Sequence, residues 1–408
     1  MSTSTDPCAA SVAAARSPAT PLPITRKSAE SRTGCILPFA SAAALIAPPF
    51  MAYPLIDVRS SNGIYNVLVS RGARTRLRAV LAEAGLAGET VVVSSRRVWT
   101  AQAAHLGRLT PILVADGERA KTLANVSRLY DALLEARVDR GSTIVAIGGG
   151  VVGDMVGFAA ATYLRGLRLV HVPTTVMAQV DSAIGGKVGV NHPRGKNLVG
   201  AFHPPALVVV DPDALATLAR REFRAGLYEV IKYGVIADEP LLAVVDRSLP
   251  SVLTQRGDAL SQIISTCCRI KATIVTADER ELGVRRTLNF GHTVGHALEA
   301  TTGYGRLRHG EAVALGMRAA LALGVARGAT PPELAARVSA LIARLGPLPS
   351  VADVPATDIV EAISHDKKVV RGRLHFVLAA GNGTTATVTD VTSRELRASL
   401  VPLGIRAR

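Results

Sequence analysis

Short apolar runs alternate with stretches of helical periodicity between residues 65 and 210. The runs are rich in β-branched residues and nearly continuous, which is typical of parallel strands that are covered on both faces. Helical stretches at 74–84 and 124–136 stand between them, as the crossover connections of an α/β fold do. The pattern therefore predicts strands at 65–70, 90–94, 111–115, 143–147, 168–172 and 206–210.

Beyond residue 213 the strand signal fades and longer helical stretches follow. These stretches lie at 221–236, 259–278, 292–302, 310–327 and 332–343, and a short β-like patch covers 374–379 and 385–388. We expect an α/β fold with a Rossmann-like parallel-sheet domain over 51–213 and a mostly α-helical domain over 214–408. The cleft between two such domains is the expected place for a ligand site. Residues 1–50, rich in Ala, Ser, Thr and Pro, are predicted to be a disordered or dispensable extension.

The composition excludes several classes of protein. Apolar residues make up 48% of the 408 residues, which is too many for a mainly disordered chain. No apolar run approaches the ~20 residues of a membrane-spanning helix, so no membrane association is expected. The net charge of +15 comes from arginines spread along the chain, so we interpret it as a compositional bias and predict no nucleic-acid partner. Four cysteines are too few for a disulfide scaffold and favour a reducing, cytoplasmic location.

A glycine-rich turn, Gly148-Gly149-Gly150, joins the predicted strand at 143–147 to a helical stretch. Glycines let a backbone approach a pyrophosphate, and a helix N-terminus favours its negative charge. The spacing differs from the GxGxxG of standard dinucleotide folds, so tight packing is an alternative explanation. Thr174 and Thr175 follow the next strand, where α/β sheets bind ligands, although a helix N-cap is the simpler interpretation of these hydroxyls.

Two glycine-rich segments carry lysines in a chain that has 39 arginines and only 8 lysines. Lys187 follows Asp181 and two glycines, and Lys196 stands between Gly195 and Asn197. An ammonium group is compact and its pKa is readily tuned, which a guanidinium cannot offer. We interpret the two segments as loops that form an anion site. A solvated surface loop is the alternative.

Glu229, His292, His296 and His309 form a scattered set of side chains that can bind metals. His292 and His296 are four residues apart on a predicted helix and therefore share one face. Two neutral imidazoles, one carboxylate and an open coordination position suit a catalytic zinc ion. For His296, simple packing or capping is the alternative.

Positive charge accumulates near these candidate ligands. Lys232 lies one helical turn after Glu229, and Lys271 and Arg285 precede Asn289 along the chain. Cations beside a metal ion repel it unless the ligand is polyanionic. We therefore expect a ligand that carries both a phosphate and a carboxylate group.

Several long motifs occur in order along the chain, namely GGGVVGDMVGFAAATYLRG, PTTVMAQVDSAIGGKVGVN, GKNLVGAFH, YEVIKYG, NFGHTVGHALE, HGEAVALGM and DKK. With these motifs, residues 60–385 resemble the 3-dehydroquinate synthase family of the sugar-phosphate cyclase superfamily. The resemblance implies conversion of 3-deoxy-D-arabino-heptulosonate 7-phosphate to 3-dehydroquinate and phosphate, the second step of the shikimate pathway. It also implies catalytic use of NAD+, a divalent metal ion, a cytoplasmic location and a homodimer.

The resemblance assigns roles to individual residues. The ligands of Zn2+ or Co2+ are Glu229, His292 and His309, while His296 acts beside the substrate in phosphate binding or proton transfer. Substrate contacts are assigned to Arg165, Lys187, Asn197, Lys232, Lys271, Arg285 and Asn289. NAD+ contacts are assigned to Asp116, Glu118, Lys121, Gly149, Gly150, Asp154, Thr174, Thr175, Asp181, Lys196 and Thr217.

Three other functions are compatible with parts of the pattern. Another sugar-phosphate cyclase, which makes an inosose or a valiolone, is the nearest alternative, but His296, Lys271 and the 195–197 segment favour dehydroquinate synthase. An iron-dependent polyol dehydrogenase shares the glycine turn but needs fewer cations. A nucleic-acid-binding protein would use the charge of +15. Relatives often place Thr-Asp-x-Asn where this chain has Ser94-Ser95-Arg96-Arg97, so its contacts to the adenosine ribose are expected to differ.

Overall fold

A seven-stranded sheet organises the first half of the chain in the computed structural model, which describes residues 55–364, 369–370 and 373–406. The described residues belong to one compact unit, Pro48–Arg408. The predicted extension at 1–50 and the DKK motif at 366–368 lie outside the described residues. The strands are β1 Leu55–Ser60, β2 Gly63–Val69, β3 Thr90–Ser95, β4 Pro111–Val114, β5 Thr143–Gly148, β6 Arg168–Pro173, β7 Lys187–His192, β8 Gly195–Phe202, β9 Leu207–Val210, β10 Val369–Val370, β11 Arg373–Leu374, β12 Phe376–Gly381 and β13 Thr384–Val388.

The main sheet has the strand order β1-β2-β9-β6-β5-β3-β4. Its edge strand β1 runs antiparallel to β2, and the other neighbouring strands are parallel. All six predicted strands are present, as β2, β3, β4, β5, β6 and β9. The unbroken apolar runs were therefore a sound indicator of parallel strands. The strand β1 was not among the predicted ranges.

Helices connect these strands and then make up most of the second half. They are α1 Leu77–Glu83, α2 Arg96–Gln102, α3 Leu123–Glu135, α4 Gly150–Thr162, α5 Arg220–Ile236, α6 Glu239–Val252, α7 Asp258–Ala277, α8 His292–Thr301, α9 His309–Ala326, α10 Pro332–Arg344, α11 Ala356–Ser364 and α12 Ser393–Leu400. The predicted fold, a parallel-sheet α/β region followed by a mostly helical one, is confirmed. The predicted domain boundary at residue 213 stays a prediction. Within the described part of the chain, every helix is too short or too polar to cross a bilayer.

The inner strand β5 shows why the sheet is apolar on both faces. Ile144 and Ala146 pack into a buried cluster with residues of α3 and α4, whereas Val145 and Ile147 pack with α1. Alternate side chains of a strand point to opposite faces, so helices on both sides require an apolar residue at every position.

We expected the segments that carry Lys187 and Lys196 to be loops, and this expectation was wrong. They form β7 and β8, an antiparallel hairpin outside the main sheet. Val188 and Val190 are buried in the cluster that contains α4, while Lys187 is exposed. The two valines stand two residues apart, which is the spacing of side chains on one face of a strand, but the glycines and polar residues around them concealed it.

Candidate active site

The glycine turn lies where β5 ends and α4 begins, at the carboxyl end of the parallel strands. A Cβ atom on Gly149 would stand 2.9 Å from Cγ2 of Thr175, so a side chain has no room there. Gly150 opens α4, and Thr174 N donates to the carbonyl of Gly148 over 2.9 Å. Thr175 Oγ1 also accepts a backbone N–H over 3.1 Å, which is the capping role considered for it. The turn thus exposes backbone at a helix N-terminus, as an anion site requires.

A buried lysine joins the loop at 116–121 to α4 and to the hairpin. The ammonium of Lys121 donates to the carboxylate of Asp154 and to the side-chain oxygen of Asn197. Asn191 donates to Glu118 Oε1 over 2.8 Å and accepts from Asn197 N over 3.0 Å. Asn197, which was predicted to contact the substrate, therefore lies among residues predicted to contact the nucleotide.

Lys196 connects this nucleotide side to the helical half. Its Nζ lies 3.0 Å from Glu299 Oε1 and 3.8 Å from Glu118 Oε1. It also stands 5.0 Å from the ring centroid of Tyr304. Lys196 therefore lies between the predicted nucleotide loop and the candidate metal ligands, rather than on the nucleotide side alone.

Three helices bring Glu229, His292 and His309 together. Glu229 on α5 is fully buried, and its Oε1 lies 3.6 Å from Nε2 of His292 on α8 and 3.6 Å from Nε2 of His309 on α9. These distances exceed a hydrogen bond, but they suit two ligands that each lie about 2.0–2.1 Å from one tetrahedral ion. Gly310 allows this approach of α9, because a Cβ there would lie 1.8 Å from the carbonyl oxygen of Ala225 on α5.

Both imidazoles present the same nitrogen to Glu229. His292 Nδ1 pairs with the carbonyl oxygen of Phe290 over 3.1 Å, and His309 Nδ1 pairs with Glu299 Oε2 over 3.2 Å. Since these acceptors hold a proton on Nδ1, each Nε2 faces Glu229 and would offer its lone pair to a metal ion bound there. Oε1 of Glu229 has no hydrogen-bond donor among the described residues. A buried anionic oxygen facing two imidazole lone pairs fits a divalent cation.

A third imidazole overlaps this set. The ring of His296 lies 5.4 Å from that of His292 and 5.7 Å from that of His309, and nitrogens of the three rings fall within 4.8 Å of one another. The geometry therefore contains two overlapping ligand sets: Glu229 with two histidines, or the three histidines. Only the set with Glu229 includes its buried Oε1, which has no hydrogen-bond donor among the described residues, and this favours that set.

The cations of the site are paired with carboxylates inside the protein. Lys232 Nζ lies 2.5 Å from Glu229 Oε2, and Lys271 pairs with Asp181. Lys187 pairs with Glu281 in the same way. The sequence argument that Lys232, Lys271 and Arg285 need a polyanionic ligand was therefore incomplete, because it did not count the carboxylates that pair with the two lysines.

These pairs set the protonation of the lysines. Burial works against the ammonium of Lys232, but the carboxylates of Glu229 and Asp181 raise its pKa above the ordinary value. For Lys271, burial dominates, and Arg285 and Lys232 add repulsion, so its pKa falls to about 8 despite Asp181. Lys232 is thus firmly cationic, while Lys271 can lose its proton at mildly alkaline pH.

Arg285 is buried beside this cluster and is held by backbone oxygens. Its Nη1 donates to the carbonyl of Glu279 over 2.5 Å and its Nη2 to the carbonyl of Gly185 over 3.2 Å. Its Nε has no acceptor within the described residues. Asn289 Nδ2 donates to Glu281 Oε1 over 2.5 Å. Arg285 and Asn289 therefore stand where an anion could bind.

Three further predicted site residues are exposed or make their hydrogen bonds with residues that were not predicted for the site. Arg165 is exposed in a turn at the far end of α4, about 20 Å from the glycine turn by the length of a 13-residue helix. Asp116 is exposed and accepts a hydrogen bond from Gly117 N. Thr217 accepts a hydrogen bond from Gln102 over 2.8 Å. The roles assigned to these three residues stay predictions.

The sequence analysis assigned no role to Glu299 or Glu281. Glu299 lies seven residues after His292, so the helical spacing places it on the same face as His292 and His296, and this signal was available. Burial raises the pKa of Glu299, but His309 and Lys196 outweigh it and bring the pKa to about 2. Glu281 belongs to a polar segment that resembles a solvated loop, and its contact to Lys187 spans 94 positions.

Family models and individual relatives resemble this chain over most of its length. The model of the 3-dehydroquinate synthase N-terminal region matches residues 111–225, and that of the C-terminal region matches 226–369. A 3-dehydroquinate synthase of Nostoc punctiforme is 44% identical over 360 residues, which cover 84% of this chain and 98% of the relative. A 3-dehydroquinate synthase of Gloeobacter violaceus is 48% identical over 345 residues, which cover 82% and 94%.

A solved structure has a similar fold at lower identity. The 2-epi-5-epi-valiolone synthase of Streptomyces hygroscopicus, with NAD+ and Zn2+ bound, is 29% identical and superposes with a TM-score of 0.77. The similarity covers 83% of this chain and 96% of that structure.

Proposed function

This chain belongs to the 3-dehydroquinate synthase family, and from that membership we infer that it converts 3-deoxy-D-arabino-heptulosonate 7-phosphate to 3-dehydroquinate and inorganic phosphate. The reaction class is that of a carbon–oxygen lyase that eliminates phosphate. The observation that carries the proposal is the convergence of Glu229 Oε1 with Nε2 of His292 and of His309 beside paired lysines.

We propose that Glu229, His292 and His309 hold a zinc or cobalt ion. The valiolone synthase named above binds Zn2+, and the buried, unpartnered Oε1 of Glu229 supports the same choice here. When bound, the ion supplies Lewis acidity that lowers the pKa of a coordinated substrate hydroxyl. Glu299 would keep the imidazole of His309 in the required tautomer, and Phe290 would do so for His292.

We propose that NAD+ lies over the glycine turn. When bound, NAD+ supplies a reversible hydride acceptor, so that a ring alcohol is oxidised and later restored. Gly149 and Gly150 would let the pyrophosphate approach the N-terminus of α4. Lys121 would keep Asp154 and the hairpin in place beneath the nucleotide.

Anionic groups of the substrate would bind among Lys187, Lys271, Arg285 and Asn289. Lys271 and Arg285 are buried, so an anion that reaches them is desolvated and strongly attracted. Lys232 beside Glu229 would donate to a substrate hydroxyl near the metal. His296, adjacent to both imidazole ligands, is placed to bind the leaving phosphate or to move a proton.

Two further assignments follow from the family rather than from contacts in this chain. We propose that the protein acts in the cytoplasm and that it forms a homodimer. Arg165 is exposed in the turn that follows α4, so a second copy of the protein could reach it. The domain division at residue 213 is proposed instead from the end of the strand pattern, whereas the two family models meet between residues 225 and 226.

A phosphate-release assay with a panel of sugar phosphates tests the function. With NAD+ and Zn2+, the heptulosonate phosphate should release phosphate without accumulation of NADH. Release from a substrate of valiolone synthase instead would favour that cyclase, to which the fold is similar. Stoichiometric NADH would indicate a simple dehydrogenase and contradict the proposal.

A further inference from the structure

The side chain of Glu281 occupies the position between residues that the proposed function assigns to an anion of the substrate. Its Oε2 pairs with the ammonium of Lys187, and its Oε1 accepts from Asn289 Nδ2 over 2.5 Å. The positive charge of Arg285 also acts on this carboxylate. Glu281 thus makes the contacts that an anionic group of a ligand would make.

Glu281 is the most exposed of the three carboxylates that pair with Lys187, Lys232 and Lys271. Glu229 is fully buried on α5, and the side chain of Asp181 is 19% exposed in a helical turn. The side chain of Glu281 is 24% exposed and lies outside any helix or strand, and that of its partner Lys187 is 47% exposed. Separation of this pair therefore requires neither the opening of the core nor the movement of a helix.

The backbone of Glu281 is held in an unfavourable conformation. Its φ is +60°, in the left-handed region that side chains with a Cβ seldom adopt. Asp278 fixes the rest of the loop, since its carboxylate accepts from Leu282 N, Gly283 N and Arg285 N over 2.7–3.0 Å. The loop that Asp278 holds in place therefore keeps Glu281 in a strained backbone conformation beside Lys187.

We propose that Glu281 is an internal counter-ion that occupies the anion position in the free enzyme, and that an incoming phosphate or carboxylate group displaces it from Lys187 and Asn289. The proposal rests on the proposed function, because that function assigns these two residues to an anion of the substrate. Two anions cannot share one pair of donors without strong repulsion. Binding therefore requires the carboxylate to leave, and its return helps to expel the product phosphate.

The carboxylate of Glu281 reduces the electrostatic repulsion between Lys187 and Arg285 in the free enzyme. Without a carboxylate nearby, Lys187 and Arg285 would repel each other across the empty position. Burial lowers the pKa of Lys187, while Glu281 counters that effect and Arg285 adds to it. Glu281 thus preserves the ammonium that the substrate needs, at the cost of competing with that substrate.

Binding of inorganic phosphate to the full-length enzyme loaded with NAD+ and Zn2+ tests the proposal. Glu281→Gln keeps the size of the side chain but removes its charge, and Glu281→Ala removes the side chain. By calorimetry at low ionic strength, both variants should bind phosphate about tenfold more tightly than the wild type. Phosphate affinity that is equal or weaker in both variants would overturn the proposal.

Glu279→Gln is the matched control, since it removes the same charge from the same loop. The carboxylate of Glu279 bonds to Ser61 instead of Lys187, so phosphate affinity should stay at the wild-type value. Equal tightening in Glu279→Gln would overturn the specific role of Glu281. Lys187→Met tests the proposed function separately from the role of Glu281. Unchanged phosphate binding in this variant would refute the assignment of Lys187 to an anion. Weakened binding would support that assignment, and the Glu281 variants would then decide the counter-ion role.

Discussion

Glu299 and His309 are joined by a hydrogen bond of 3.2 Å, which fixes the imidazole so that its other nitrogen faces Glu229. The second oxygen of Glu299 is bonded to Lys196 over 3.0 Å. One carboxylate therefore orients a proposed metal ligand and also anchors the hairpin that borders the nucleotide side.

Replacement of Glu299 by glutamine should weaken zinc binding. Loss of a carboxylate that orients a ligating histidine lowers metal affinity by roughly 10–100-fold. Competition with a chelator measures this dissociation constant directly and does not depend on turnover. Glu239→Gln, a change at a partly buried residue of α6 that pairs with Arg337, is the control. Equal zinc affinity in both variants would contradict the orienting role.

Variants of His296 and Glu229 should decide between the two overlapping ligand sets. If Glu229, His292 and His309 hold the ion, His296→Asn retains zinc but loses roughly 100-fold or more in kcat, as expected for a lost acid–base group. Glu229→Gln should lose zinc. Metal content and circular dichroism of each purified variant give the answer. Zinc retained by Glu229→Gln and lost by His296→Asn would identify the three-histidine set instead.

The rate should fall as pH rises through about 8. The ammonium of Lys271 has a pKa of about 8 because burial lowers it, and anion binding needs the protonated form. We therefore expect kcat/KM to decrease as the pH rises above the pKa of Lys271. Lys232 stays protonated in this range because its pKa is raised. A pH profile of kcat/KM measures the effect, and Lys271→Gln should lack this alkaline decline. A wild-type profile that is flat to about pH 9.5 would contradict the assignment.

Substitution of Gly310 by alanine should disturb both stability and metal binding. The new methyl group would lie 1.8 Å from the carbonyl oxygen of Ala225, so α9 must move away from α5. Overpacking of this kind costs about 1–3 kcal/mol of unfolding free energy. Urea denaturation should show this loss, and zinc affinity should fall because His309 moves with α9. Gly305→Ala is the control, since its Cβ would lie no closer than 3.9 Å to another atom, and it should lower neither the stability nor the zinc affinity.

The sequence predicted the sheet well because its strands have a simple signature. A strand such as β5, with helices on both faces, is apolar at every position and contains β-branched residues. The hairpin β7–β8 lacked that signature, since glycines, Lys187 and Asn191 interrupt its buried valines. Helix α6 was missed because Pro240 and Pro250 break its pattern, although the first stands in its first turn.

The site was predictable as a set of residue types but not as a set of pairs. Two histidines at helical spacing and a glutamate within a helical motif indicated a metal site. The partner of Lys187 is 94 residues distant, and that of Lys271 is 90 residues distant, so only the tertiary fold reveals which carboxylate neutralises which ammonium. Local sequence carries no signal for such pairs.

The three proposed metal ligands come from α5, α8 and α9, all of them downstream of the sheet. A ribosome must therefore complete every strand of the main sheet, and then the segment through residue 309, before the first coordination sphere can close. The glycine turn at 148–150 leaves the ribosome far earlier. The glycine turn therefore exists in the nascent protein before the metal site can close, and closure of that site depends on α5, α8 and α9, which are synthesised later.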